Sequence, residues 1–224
     1  MRFVVATAAR PDGEAATTTS PIRIFLTVRR SMSILIAAAV CGVATAWLGT
    51  VEVAVPTVAA QGQGRIPMWR LLAMGAAVLP VLAMHSHLAD LEQGVTRSLR
   101  RAQRMHLVGM GVGCASLFLA FAALALHPLV LLVVLRSWLA WYGMAMLAGV
   151  VLGWRLAWTL PAIVAVILMY WGYQNGDYRW WEFSARPYDD QGALMLSLGL
   201  LAAGLVAFWM TPWRRRRLRV SRRR

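Results

Sequence analysis

The sequence contains no lysine at all, only two cysteines and only nine acidic residues in 224 positions. A phosphate-binding Walker loop ends in Gly-Lys-Ser/Thr, so a chain without lysine cannot hydrolyse ATP through one. The cysteines, Cys41 and Cys114, lie inside separate apolar runs and fit no metal or redox spacing, so they read as small buried hydrophobes. Only 14% of the residues are charged, well under the roughly 25% of a water-soluble domain. Enzyme signatures are also missing. There is no Gly-x-Ser-x-Gly elbow and no His-Glu-x-x-His. The adjacent pair Asp189-Asp190 lacks the further aspartates with which lipid-forming membrane enzymes hold Mg²⁺. The chain is therefore expected to be no enzyme, with no cofactor and no metal site.

What is abundant is apolar: 59% of the residues are hydrophobic and the mean hydropathy is +0.59. Six runs are long enough, or nearly so, for a membrane span, which takes about 17–25 residues. They are Ile34 to Val55, Leu71 to Leu88, Leu107 to Leu126, Ser137 to Gly153, Leu156 to Gly172 and Ala193 to Thr211. The first exceeds the h-region of a signal peptide, and Arg29-Arg30 before it make only a poor twin-arginine signal, so it is read as an uncleaved span. The start of the fourth is open. Leu129 to Leu135 is also apolar, and a helix beginning there would carry Arg136 inside the membrane. The expected fold is an all-α, polytopic membrane helical bundle of about six transmembrane helices. Residues 1–21 read as a disordered leader, 22–212 as the six-span domain and 213–224 as a basic tail.

The 23 basic residues are all arginine, and their placement sets orientation. Eighteen fall before the first span, between the second and third, between the fourth and fifth, and in the tail. Only Arg65, Arg70, Arg136, Arg179 and Arg186 remain for the other side. Loops rich in arginine are not translocated, so both termini are expected in the cytosol of a cell (inner or plasma) membrane. The net charge of +14 is mostly this topology signal, with anionic lipid its nearest counterion; no aromatics beyond Trp213 interleave the tail as nucleic-acid binding would require. Tryptophans agree: Trp69, Trp171, Trp180 and Trp181 fall at the outer boundary, Trp154, Trp158, Trp209 and Trp213 at the inner one.

Two segments stand out. Between the second and third spans, residues 88–105 form a strongly amphipathic helix on a 100° wheel. Leu88, Leu91, Val95, Leu99 and Ala102 share one stripe, and Arg97, Arg100, Arg101 and Arg104 lie opposite. Such a helix suits the inner leaflet surface or docking to a cytosolic partner, with Leu91 and the four arginines as the docking face. Met84, His85 and His87 before it and Met105 and His106 after it are soft ligands, but they lack a Met-x-x-Met or Cys-x-x-Cys partner. On the outer side, residues 173–190 carry a crowd of aromatics, chiefly Tyr178, Trp180, Trp181 and Phe183 next to Trp171. That loop suits an interfacial hairpin, or a cap on an exit path that meets an apolar or cationic cargo. Interior charge is scarce, Glu52 and Arg136 being the main candidates, which disfavours an ion-coupled transporter.

The stretches MHSHLADLEQGVTRSLRRAQRMHLVGMG (84–111) and RSWLAWYGMAMLAGVVLGWRLAWTLPAIVAVILMYWG (136–172) resemble small, arginine-rich, six-span permease-like proteins of actinobacteria, related to type 2 ABC exporter permeases. The resemblance covers roughly residues 30–212. It implies a coupling helix at 88–105, outer helices at 173–190, a separate cytosolic ATP-binding-cassette ATPase subunit as partner, and a second copy or related permease subunit. The expected function is thus the membrane (permease) subunit of an ATP-driven ABC-type exporter. The alternative is a non-transporting integral membrane scaffold or assembly factor that recruits cytosolic proteins.

Overall fold

A computed structural model describes residues 31–56, 63–84, 97–174 and 177–210. These residues form a helical bundle with two small strand pairs at one end. Helix α1 (Ser31–Leu48) is followed by β1 (Glu52–Pro56) and β2 (Gln63–Pro67), then α2 (Trp69–Leu82), α3 (Arg97–Ala122) and α4 (Pro128–Leu152). After a 3₁₀ turn (Trp154–Leu156) come α5 (Thr159–Trp171), β3 (Tyr173–Gln174), β4 (Asp177–Tyr178) and α6 (Gln191–Met210). Five helical stretches are long and apolar enough to cross a membrane: 31–48, 103–122, 128–152, 154–171 and 191–210.

Three boundaries differ from the sequence expectation. The first span ends at Leu48, and Val51 to Val55 belong to a turn and to β1. Hydropathy alone cannot separate a helix from a run of β-branched valines, which prefer the pleated surface of a strand. β1 pairs antiparallel with β2, Glu52 opposite Pro67 through Pro56 opposite Gln63. Glu52 therefore stands in a strand beyond the end of the first helix, where it faces Arg65 at 3.6 Å in an exposed ion pair of little energetic weight. The second span is short. α2 has 14 residues, about 21 Å at 1.5 Å per residue, against roughly 30 Å of hydrocarbon. It passes into a turn at Ala83-Met84, and Pro80 inside it has no N–H to give back to the preceding turn.

The fourth helix takes the longer of its two possible forms. His127 stands at its N-cap with Nδ1 accepting from the Leu129 N–H, and Pro128 fills the first helical position, where a missing N–H is harmless. The helix then runs 25 residues to Gly153, whose φ of 101° is a conformation open to glycine. Arg136 accordingly lies well inside it.

α4 is the centre of the bundle. Two-thirds of its span is buried (67%), against 22% for α1, for the 3₁₀–α5 stretch and for α6, so those outer helices leave most of their surface uncovered by the rest of the chain. α4 packs on α6, α2, α5 and α3, while α1 packs on α3 and α2. Small residues allow the closest approaches. A Cβ on Gly143 would strike the Leu200 carbonyl of α6, and one on Gly204 would strike the Gly143 carbonyl, so the two backbones touch. On the other side, a Cβ on Gly42 would sit 2.8 Å from the Phe118 carbonyl oxygen of α3. Gly111 leaves room for the Tyr142 hydroxyl, which donates to the Leu107 carbonyl at 3.0 Å and ties α4 to α3. Buried hydroxyls within the spans bond back one turn: Thr45 to Cys41, Ser137 to Val133 and Ser197 to Ala193, each at 2.8 Å.

The helices have two common ends. The loop end carries both strand pairs and the 179–190 segment. The opposite end holds residue 31, the start of α3, the 3₁₀ turn and residue 210, with Arg104 of α3 against Trp209 of α6.

Candidate functional site

Segment 179–190 contains no helix and no strand; tight turns shape it, such as Glu182 N–H to the Arg179 carbonyl and Asp190 N–H to the Pro187 carbonyl. The outer helices implied by the resemblance are thus absent among the described residues of 173–190, and two-residue strands and turns stand in their place. The segment folds inward. Glu182, Phe183 and Ser184 are 1–2% exposed, sunk between α2, α4 and α5.

Two helix arginines hold it there. Arg70, in the first turn of α2 and 8% exposed, donates from Nη2 to Glu182 Oε1 at 2.7 Å. Its Nε and Nη2 also donate to Ser184 Oγ at 3.1 and 2.6 Å. Ser184 in turn donates from Oγ and from its backbone N–H to Glu182 Oε1, at 2.6 and 3.2 Å. Arg136, two turns into α4 and 4% exposed, donates to the carbonyls of Phe183, Pro187 and Arg186 at 3.2, 2.8 and 2.7 Å. Among the described residues no carboxylate forms an ion pair with Arg136. Its hydrogen bonds all go to peptide carbonyls, with Asp189 the carboxylate and Arg186 the cation whose charges reach it. Gly172, where α5 ends, makes room for the acid, because a Cβ there would collide with Glu182 Oε2.

Aromatic rings wall the same place. Phe183 packs edge-on against Trp141 of α4, centroids 4.9 Å apart, and Trp138 stacks on Tyr142 at 5.0 Å. A crevice of about 10 Å³, the scale of one water, runs between Arg70, Trp141, Ala165, Leu168, Met169 and Ser184. Two buried polar atoms at this place lack a hydrogen-bond partner: Glu182 Oε2 and the indole nitrogen of Trp141. Each unpaired buried group costs about 1–3 kcal/mol, so the closed arrangement is compact without being fully satisfied. The segment's exit is fixed by Asp190. It pairs with Arg186 and accepts from the Ala193 N–H at 3.1 Å, capping α6.

The expected site residues are divided by the structure. Of the aromatic set, only Phe183 is fully buried. Trp181 is partly buried against the core, while Trp171, Tyr178 and Trp180 face outward, Trp180 at 75% exposure. Of the docking set, Leu91 lies outside the described residues, as do 88–96. Arg97 and Arg100 sit in the opening turn of α3. Arg101 is exposed. Arg104 lies over the Trp209 ring at 4.7 Å and donates to the Trp209 carbonyl at 3.3 Å. Residues 97–105 are continuous with the third span as one 26-residue helix. The leader 1–21 and the tail 213–224 lie outside the described residues.

Sequence reading missed Arg70, Glu182, Ser184 and Trp141. A signal was present: Arg70 and Arg136 belong to the five arginines off the basic side, and Glu182 is an acid flanked by Trp181 and Phe183. Among the described residues no three His, Cys, Asp or Glu side chains gather to hold a metal ion. No family model, no curated protein and no solved structure matches the chain.

Proposed function

We propose that the chain is the membrane (permease) subunit of an ATP-driven exporter, working with a separate cytosolic ATP-binding-cassette subunit and with a second copy or a related permease. In this reading the opposite end, with its arginines, faces the cytosol across a cell membrane, and the loop end faces out. The observation that supports it most is the continuity of α3. The basic turns at Arg97, Arg100, Arg101 and Arg104 run without a break into a helix that packs along α1 and meets α4 through Tyr142. A push on those turns is carried into the bundle by a rigid rod, because an α-helix resists compression along its axis. Arg104 over Trp209 links the same lever to α6. The inward-folded segment 182–187 then corresponds to a closed outer mouth, and a conduit would form between two chains, the crevice beside Ser184 being no larger than one water.

That packed interior also favours a second reading, a non-transporting scaffold whose basic end recruits cytosolic proteins. Purification of the tagged protein in mild detergent, with mass spectrometry and an ATPase assay on the eluate, separates the two. The exporter reading expects a stoichiometric P-loop ATPase that is lost when Arg97, Arg100, Arg101 and Arg104 are all changed to Glu while membrane insertion is kept. Co-purification that survives the four substitutions, or recovery without any ATPase, removes the exporter reading.

A further inference from the structure

Six hydrogen bonds are formed by the guanidiniums of Arg70 and Arg136, and every one ends on residues 182–187. The two arginines come from different helices, α2 and α4, and neither has a carboxylate partner on the helices themselves. If the segment withdrew, the helices would present two buried cations at one mouth with no counterion of their own among the described residues. Cations in so apolar a setting persist only with an anion or peptide dipoles at hand. The segment supplies both: one carboxylate, one hydroxyl and three carbonyls, followed by an apolar ring seated on Trp141. Chemically, Glu182-Phe183-Ser184 has the form of an acid headgroup joined to an apolar body.

We propose that segment 182–187, with this tripeptide at its head, is a tethered plug occupying a binding mouth for an anionic amphiphile. Arg70 and Arg136 are the headgroup ligands, and Trp141 with Leu168 and Met169 forms the apolar wall. Three features favour a plug over a permanent staple. The segment owns no regular secondary structure. Its seat leaves Glu182 Oε2 and the Trp141 N–H unpaired. Glu182 moreover pairs with only one of the two arginines; Arg136 is bonded to carbonyls, with Asp189 acting on it without an ion-pair contact, so its guanidinium is open to exchange those carbonyls for an anion. The buried charge of this mouth selects an acid, whereas the aromatic loop read alone suits a cationic cargo. The proposal rests on the exporter reading only for which way the amphiphile moves; the mouth itself requires no ATPase.

The test is thiol accessibility of Ala165→Cys, a crevice position on α5, in full-length protein carrying Cys41→Ala and Cys114→Ala, reconstituted in phosphatidylcholine vesicles. N-ethylmaleimide should label it slowly when the plug is intact and at least tenfold faster in Glu182→Ala/Ser184→Ala. Ser184→Ala alone, which removes a single oxygen, gives an intermediate rate and serves if the double variant does not fold. Oleate should restore protection in the opened variant and oleyl alcohol should not, and adding Arg70→Gln or Arg136→Gln should abolish the oleate effect. Phosphatidic acid mixed into the vesicles should protect as oleate does if the acid is drawn from the bilayer, and should not if it arrives as a free acid. An unchanged labelling rate in both plug variants overturns the plug. Equal protection by oleate and oleyl alcohol, or protection that survives loss of both arginines, overturns the anionic mouth. Neither result bears on whether an ATPase co-purifies, so the two proposals fail separately.

Discussion

Arg70 and Glu182 lie 112 positions apart and are both nearly inaccessible to solvent, so the cost of separating them is asymmetric. Removing one member strands a buried charge, at about 3–5 kcal/mol, whereas replacing both by apolar groups of similar volume is often close to neutral. Arg70→Met alone should therefore lower the melting temperature of the purified protein markedly. Arg70→Met/Glu182→Met should recover most of that loss, and a double variant melting below the single would contradict the buried pairing. None of this was legible in composition. Arg70 counted as one of a minority of arginines on the less basic side, and Glu182 as one negative charge in an aromatic loop. Pairing across 112 residues is a property of how α2 and the loop meet, which no local pattern encodes. Arg136 was better signposted, since the apolar stretch 129–135 already allowed a helix that would place it inside.

At the scale of elements, the α4–α6 seam is where glycine matters. Gly143 and Gly204 let two backbones touch, so Gly143→Ala and Gly204→Ala should each destabilise the bundle by about 1–3 kcal/mol through overpacking. Gly199, on the same helix, has nothing within 4 Å of an added Cβ. Gly199→Ala should stay within about 0.5 kcal/mol of the parent in the same thermal melt. Equal losses at 143 and 199 would place the helix contact elsewhere. Apolar periodicity located each of these helices because a chain in lipid has to satisfy its backbone within the helix. It failed at their ends. Val51 to Val55 are as hydrophobic as any span but pair as a strand, and the implied outer helices at 173–190 are turns whose shape is dictated by the two arginines beneath them.

For the whole molecule, α1 and α3 run side by side in the same direction, with Leu35 near Gly113 and Gly42 near Phe118. α6 returns to the Arg104 end. Residues 31 and 210 therefore lie at one end and the β1–β2 pair at the other. With the basic end in the cytosol, a fluorescent protein fused after residue 210 should fluoresce, and alkaline phosphatase inserted between β1 and β2 should be active. The reverse result would invert the orientation read from the arginines.

α2, at 14 residues, is shorter than every one of the five span-length stretches and is largely sheathed by protein, with Ala73, Ala76, Ala77 and Val81 fully buried among its neighbours. It also opens with a buried arginine. A segment that short, with a charge in its first turn, makes a weak signal to the insertion machinery while it is the newest part of a growing chain. A place for it within the bilayer would depend on α4, which packs against α2 and emerges from the ribosome only some fifty residues later. The order of synthesis and the order of insertion therefore differ: chains truncated before α4 should leave α2 outside the bilayer in glycosylation mapping, and chains extended through Leu152 should pull it in.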